Sequence, residues 1–147
     1  MAHLEVSGLD SLIGDFDSLA EQTSQLQADI LTAVADKVEP ALHRSIATEG
    51  LVRTGRLQSS IKRRKTNVGG IPAIRLGPVG EHHRYLPSPG QRGITYAGYV
   101  GYIAEYGIKS RGIKGRNWLQ KGVARSQTDA FNAADTVHEK YLKNNNL

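Results

Sequence analysis

Apolar residues recur at helical intervals through the first third of the chain: Leu9, Leu12, Ile13, Phe16, Leu19 and Ala20, then Leu26, Ile30, Leu31, Val34, Val38, Leu42 and Ile46. Steps of three and four over such a length predict amphipathic helices. Ser7 or Asp10 can cap the start, and Gly14 weakens the first segment, so the pattern predicts a short helix near 9–20 and a long one near 22–48. Pro40 should kink the second or mark a new first turn, and Glu49-Gly50 should end it, because glycine accepts the left-handed conformation that closes many helices.

The period then changes. Thr54 is an acceptable N-cap for a shorter helix whose Leu57 and Ile61, four apart, would face the core. From Lys62 to Gly77 the sequence reads as two strands joined by a turn at 67–70, with Ile74 and Leu76 alternating around Arg75 and Pro72 limiting the second strand to an edge or a late start. Residues 78–94 concentrate Pro78, Pro87 and Pro89 with Gly80, Gly90 and Gly93, which predicts a long exposed loop able to reach a neighbour. Tyrosines at 96, 99, 102 and 106 fit helical spacing, although Gly98 and Gly101 would each cost a free helix about 1 kcal/mol. A short strand running into one helical turn that ends at Gly107 is expected there. After a basic loop, Trp118, Leu119, Val123, Phe131, Val137 and Tyr141 outline a C-terminal helix, with 143–146 expected to fray.

The predicted class is therefore α+β: long N-terminal helices and a C-terminal helix packed on a small antiparallel sheet. At 147 residues the chain suits a single domain, divided into a helical part (8–49), a sheet with its loop (50–107), and a basic loop with the last helix (108–143). With 39% hydrophobic and 22% charged residues it has the composition of a chain that folds.

Charge sharpens this picture. The net +5 conceals a split: residues 1–50 hold two basic residues (Lys37, Arg44) against nine acidic, residues 51–125 hold fifteen against two (Glu81, Glu105), and the remainder two against three. Two surfaces of opposite sign suit head-to-tail packing of like subunits as well as contact with nucleic acid, while a plain solvated face is the blander reading. The basic runs Lys62, Arg63, Arg64, Lys65 and Lys109, Arg111, Lys114, Arg116 are the candidates for subunit or DNA contact; clustered cations neutralise phosphate without any further motif. The tyrosines could stack on bases, but their regular spacing favours buried or interface packing.

Catalytic chemistry finds no residue set. Cysteine is absent, which removes thiolate nucleophiles, disulfides and thiolate metal sites. No Gly-x-Ser-x-Gly, His-Glu-x-x-His or phosphate-loop motif occurs. His82 and His83 are adjacent, and neighbours on an extended chain point apart, so they read as loop histidines and, with Arg84 and Tyr85, as a partner-docking segment. Glu105 reads either as a lone general base or as a structural carboxylate paired with Arg56 or Arg116, and the structural role is favoured because no second acid accompanies it. No enzyme activity, cofactor or metal is expected. The first residues lack a basic start and apolar run, and no stretch approaches the roughly 18 apolar residues of a membrane span, so a cytoplasmic or particle-bound protein without membrane contact is expected.

Three signatures occur in order: Thr54-Gly-Arg-Leu-Gln-Ser-Ser-Ile61, Tyr102-Ile-Ala-Glu-Tyr-Gly107 and Trp118-Leu119. In this order and spacing, over roughly residues 20–143, the chain resembles the neck or gp-ten-like tail-component proteins of long-tailed bacteriophages. The match lies at Thr54, Gly55, Leu57, Ser60, Ile61, Tyr102, Glu105, Tyr106, Gly107, Trp118 and Leu119. It departs from the family's Ala-x-Pro-Phe-Leu at Gly115-Arg-Asn-Trp-Leu119, and its 78–93 segment is longer than the tight connection expected there. The resemblance implies a non-enzymatic virion protein of the head–tail junction: a tail-completion, tail-terminator or minor tail component, assembled in the host cytoplasm. It would form a homo-oligomeric ring, hexameric by preference, between connector or head-completion proteins and the tail tube, with non-specific contact to packaged DNA. A small basic DNA-binding protein with no particle role is the alternative.

Overall fold

A computed structural model describes the backbone of residues 9–53, 55–85 and 92–145 and the side chains of 18, 20–53, 55–80 and 96–145. Its first element is one helix where two were expected: α1 (Leu9–Thr48) runs through Gly14 and Pro40 for 40 residues without a break. A glycine costs a helix about 1 kcal/mol, which cooperative propagation along a long run absorbs. Pro40 is exposed, so its ring meets solvent rather than the packed face.

The end of α1 follows the sequence. Gly50 adopts φ 69°, its N–H donates to the Ala47 carbonyl (3.0 Å), and the Leu51 N–H reaches back to Ile46 (3.0 Å). This pair of bonds is the Schellman closure, and it satisfies two carbonyls that the helix leaves open. The short helix α2 (Arg56–Ser60) begins after Gly55 in the left-handed region (φ 66°); Thr54, expected as its cap, lies outside the described residues.

Strands β1 (Ile61–Val68) and β2 (Ile71–Pro78) form an antiparallel hairpin turning at Gly69-Gly70, in register from Ile61 opposite Pro78 to Val68 opposite Ile71. Both residues of the turn have positive φ (60° and 87°), the conformation that a two-residue hairpin needs and glycine supplies. The expected 78–94 loop is instead largely a second hairpin, β3 (Glu81–Tyr85) against β4 (Arg92–Tyr96), whose connection lies outside the described residues. Its prolines fall between the strands or before them, so none interrupts the ladder.

Helix α3 (Ala97–Tyr106) is longer than the single turn expected, and its glycines have a packing role. Gly101 is buried against Pro78 and Leu57, and a Cβ there would lie 2.6 Å from Pro78 Cγ. Two short strands, β5 (Gly107–Ile108) and β6 (Ile113–Lys114), pair around a 3-10 turn at Lys109–Arg111, giving the basic loop a fixed form. Helix α4 (Trp118–Asn144) packs along α1, and it stays helical through Lys143 and Asn144, where fraying was expected.

The protein is α+β, and among the described residues the strands form three separate two-stranded antiparallel ladders. Leu42, Ile46, Leu57, Ile61 and Trp118 form the core where α1, α2, β1 and α4 meet, and Val38, Leu51, Leu76, Ala104 and Leu119 pack around it. Ser45 is fully buried and donates to the Trp118 carbonyl at 2.6 Å, so the first turn of α4 is bolted to α1. Gly122, one turn further, keeps the two helices close: an added Cβ would lie 2.8 Å from Leu42 Cδ2 and 3.2 Å from its Cα.

Candidate interaction surface

The residues that carry the sequence signatures converge inside the fold. Asn117, at the N-cap of α4, sits at φ 51° and makes no side-chain cap bond. Glu105 supplies the missing cap from α3: its carboxylate accepts the N–H of Leu119 (2.7 Å) and of Gln120 (3.2 Å). Those are two of the donors a helix start leaves unpaired, and an anion there also suits the positive end of the helix dipole. The expected partnership of Glu105 with Arg56 or Arg116 is thus replaced by one with backbone N–H groups. Arg116 instead donates to the Glu49 carbonyl at 3.1 Å.

Around this cap the chain passes itself closely. The Arg116 N–H donates to Ala104 (2.8 Å), the Asn117 N–H to Glu105 (3.2 Å), and Trp118 Nε1 to Gly101 (3.1 Å). Gly107 and Gly115 allow the approach, since a Cβ on either would collide with the opposing backbone. Leu57, Ile61 and Trp118 belong to the core, while Tyr106 is exposed.

The surface is different in character. On the hairpin, alternate residues fall on opposite faces. Arg63 lies over α1, where its guanidinium pairs with Asp36 (2.5 Å) and with Glu39. Both carboxylates hold its pKa above the ordinary value. Lys62 and Arg64 take the other face with Arg75, which is opposite Arg64 in the register. Like charges facing each other across a ladder are unfavourable unless an anion joins them. Arg75 was not singled out from sequence, although the Gly69-Gly70 turn fixes the register that finds it.

Of the eight expected contact cations, Arg63 and Arg116 are thus engaged within the chain. Lys62, Arg64, Lys65, Lys109, Arg111 and Lys114 are exposed, with no acidic partner among the described residues. His82, His83, Arg84 and Tyr85 form part of β3, and their side chains lie outside the described ones.

Of the two expectations for the tyrosines, burial or interface packing, burial within the chain is overturned. Tyr96, Tyr99, Tyr102 and Tyr106 are 62, 55, 59 and 66% exposed, and the rings of Tyr102 and Tyr106 lie 4.9 Å apart. The buried side of α3 is Ala97, Gly101 and Glu105, a stripe at intervals of four. Small residues bring that side close to its neighbours, which leaves the large rings outside.

No protein-family model, curated protein or solved structure matches this chain. Among the described residues no helix is long and apolar enough to cross a membrane.

Proposed function

We propose that this chain is a non-enzymatic structural subunit of the head–tail junction of a tailed bacteriophage: a neck, tail-completion or tail-terminator protein. Copies assemble in the host cytoplasm into a ring, six by preference, that joins connector to tail tube and stays in the virion. The observation that carries this reading is a separation of charge that the fold does not neutralise internally. Arg63 meets two carboxylates of α1 and Lys121 meets Glu49 just past its end, yet seven cations of the middle third, Arg75 among them, remain exposed on the hairpin and the 109–114 turn. A subunit with one acidic and one basic surface suits heterologous contact, in which one face meets a different face of the next copy. The internal roles of Glu105, Gly107 and Trp118 also fit a signature kept for architecture. In this reading the β3–β4 hairpin reaches the connector or tail protein, and Lys109, Arg111 and Lys114 face the channel or the neighbouring subunit.

Electron microscopy of particles from a phage lacking the gene tests it. Separate DNA-filled heads and finished tails are expected; normal infectious particles would overturn the reading.

The second reading, a small DNA-binding protein, is favoured by the single face shared by Lys62, Arg64 and Arg75. It requires tight DNA binding by the isolated chain with a steep salt dependence, whereas a ring subunit needs many copies to present the same charge.

A further inference from the structure

Helices α1 and α4 are not equally long, and their offset carries the backbone of α1 past the end of α4. At one end of the pair Ser45 bonds Trp118 and Leu42 meets Gly122; at the other an open cleft is lined by Gln22 and Gln25 of α1 and by Tyr141 and Asn144 of α4. Helix α4 therefore ends near residue 22, while α1 continues back to Leu9, roughly 20 Å further at 1.5 Å per residue. Residues 20–25 are all exposed.

This overhang has an interaction-prone sequence. Leu9, Leu12, Ile13, Phe16 and Leu19 are spaced for one helical face. A helix of this length gains little from backbone bonding alone and is normally held by packing of its apolar side. The same segment carries Asp10, Asp15, Asp17 and Glu21, and the first Lys or Arg of the chain is Lys37. Two overhangs side by side would therefore bring these acids together with no cation between them. The segment needs a partner that is apolar and positive.

The other end of the molecule offers one. The ridge of Tyr96, Tyr99, Tyr102 and Tyr106 lies on α3, which packs at the Trp118 end of α4. It runs directly into the turn bearing Lys109, Arg111 and Lys114. From His82 to Thr128 the sole acidic residue is Glu105, and it is buried under α4. Exposed tyrosines beside cations form a surface suited to an acidic amphipathic helix: rings supply contact area and the cations meet carboxylates.

We infer that the α1 overhang of one copy docks on the tyrosine ridge of a second copy, its carboxylates against the 109–114 turn. The inference rests on the self-assembling reading above and names its contact. Because the two surfaces differ and lie at opposite ends of the α1–α4 pair, the contact is head to tail, and repetition gives a ring where the rotation closes and a filament where it does not.

The absence of cysteine makes the test direct. In the 147-residue chain, Ser18→Cys marks the overhang and Ser110→Cys the basic turn, both at exposed positions. With a short bismaleimide, the double variant should give a ladder of covalent multimers, each single variant should stay one band, and a mixture of the singles should give a dimer and nothing larger. Adding Tyr99→Glu and Tyr102→Glu, with helicity checked by circular dichroism, should abolish the ladder; so should Asp17→Lys with Glu21→Lys. A dimer from Ser18→Cys alone, a ladder that survives both charge changes, or no ladder from the double variant at any concentration would overturn the contact. A ladder from a protein whose gene is dispensable for particles would leave the contact standing and reject the neck reading. No ladder, with particles arrested as separate heads and tails, would do the reverse.

Discussion

Glu105 caps a helix that begins 13 residues after it, with its carboxylate 2.7 Å from the Leu119 N–H. The group is 5% exposed, so water cannot replace it at the Leu119 and Gln120 donors. Glu105→Ala should cost about 2–3 kcal/mol, comparable to losing a strong cap while leaving buried donors unpaired. Glu105→Gln retains an acceptor without the charge and should cost less. Urea denaturation of the two variants checks the order, and an equal loss in both would show that charge alone matters.

Gly122→Ala sets two effects against each other. Alanine is the better helix former by about 1 kcal/mol, but the added methyl would press on Leu42, whose Cα cannot move aside as its side chain can. Overpacking should win, with a net loss of about 1–2 kcal/mol in thermal or urea unfolding. A stabilised variant would mean that α1 and α4 separate more easily than their packing indicates.

Arg63 and Arg64 are neighbours with different duties. Arg63→Met removes both pairs to α1 and, because those groups are partly solvated, should cost about 1 kcal/mol or less, with a difference that shrinks in high salt. Arg64→Met should leave stability within about 0.5 kcal/mol or raise it slightly by relieving the charge opposite Arg75. Denaturation midpoints at low and high salt distinguish them.

If the hairpin face contacts DNA, Arg64→Gln with Arg75→Gln should flatten the log–log salt dependence of binding by about two, while Arg63→Gln should hardly change it. Fluorescence anisotropy with a short duplex gives the slopes. Equal slopes for all variants would remove this face from consideration.

The Lys121 ammonium donates to Glu49 at 2.8 Å and holds its carboxyl below the ordinary value of 4.5, with burial opposing and Arg125 and Arg116 adding to the shift. A carboxyl lowered on folding contributes stability above its unfolded value, and the contribution disappears as pH falls through the folded value. Glu49→Gln should therefore be less stable than the parent at pH 7, and the gap should close as pH falls below 4.5 through the folded value. A gap that persists in acid would assign the effect to packing.

The elements most legible in the sequence were those with a local cause. The Schellman closure at Gly50 and the hairpin turn at Gly69-Gly70 are written in glycines that need positive φ, and the α1 face in apolar spacing, whereas α4 buries Trp118, Gly122, Ser126 and Ala130 and leaves Val123 and Phe131 exposed. Other features depend on distant chain. Gly14 marked a break only until the cooperativity of a 40-residue helix was counted. Gly98 and Gly101 argued against a long α3 because Pro78, which Gly101 accommodates, is 23 residues away. The partner of Glu105 was sought among arginines because charge is visible in sequence, whereas a backbone N–H aimed by α4 is not. Helical spacing put the tyrosines on one side of α3 but not which side, and the decision lay with the small residues Ala97 and Gly101.

The bond between Ser45 and Trp118 spans 73 residues. At a ribosomal rate of about 5–20 residues per second, α1 leaves the exit tunnel roughly 4–15 s before the start of the helix that covers it. During that interval the face of α1 that Trp118 later covers has no partner helix.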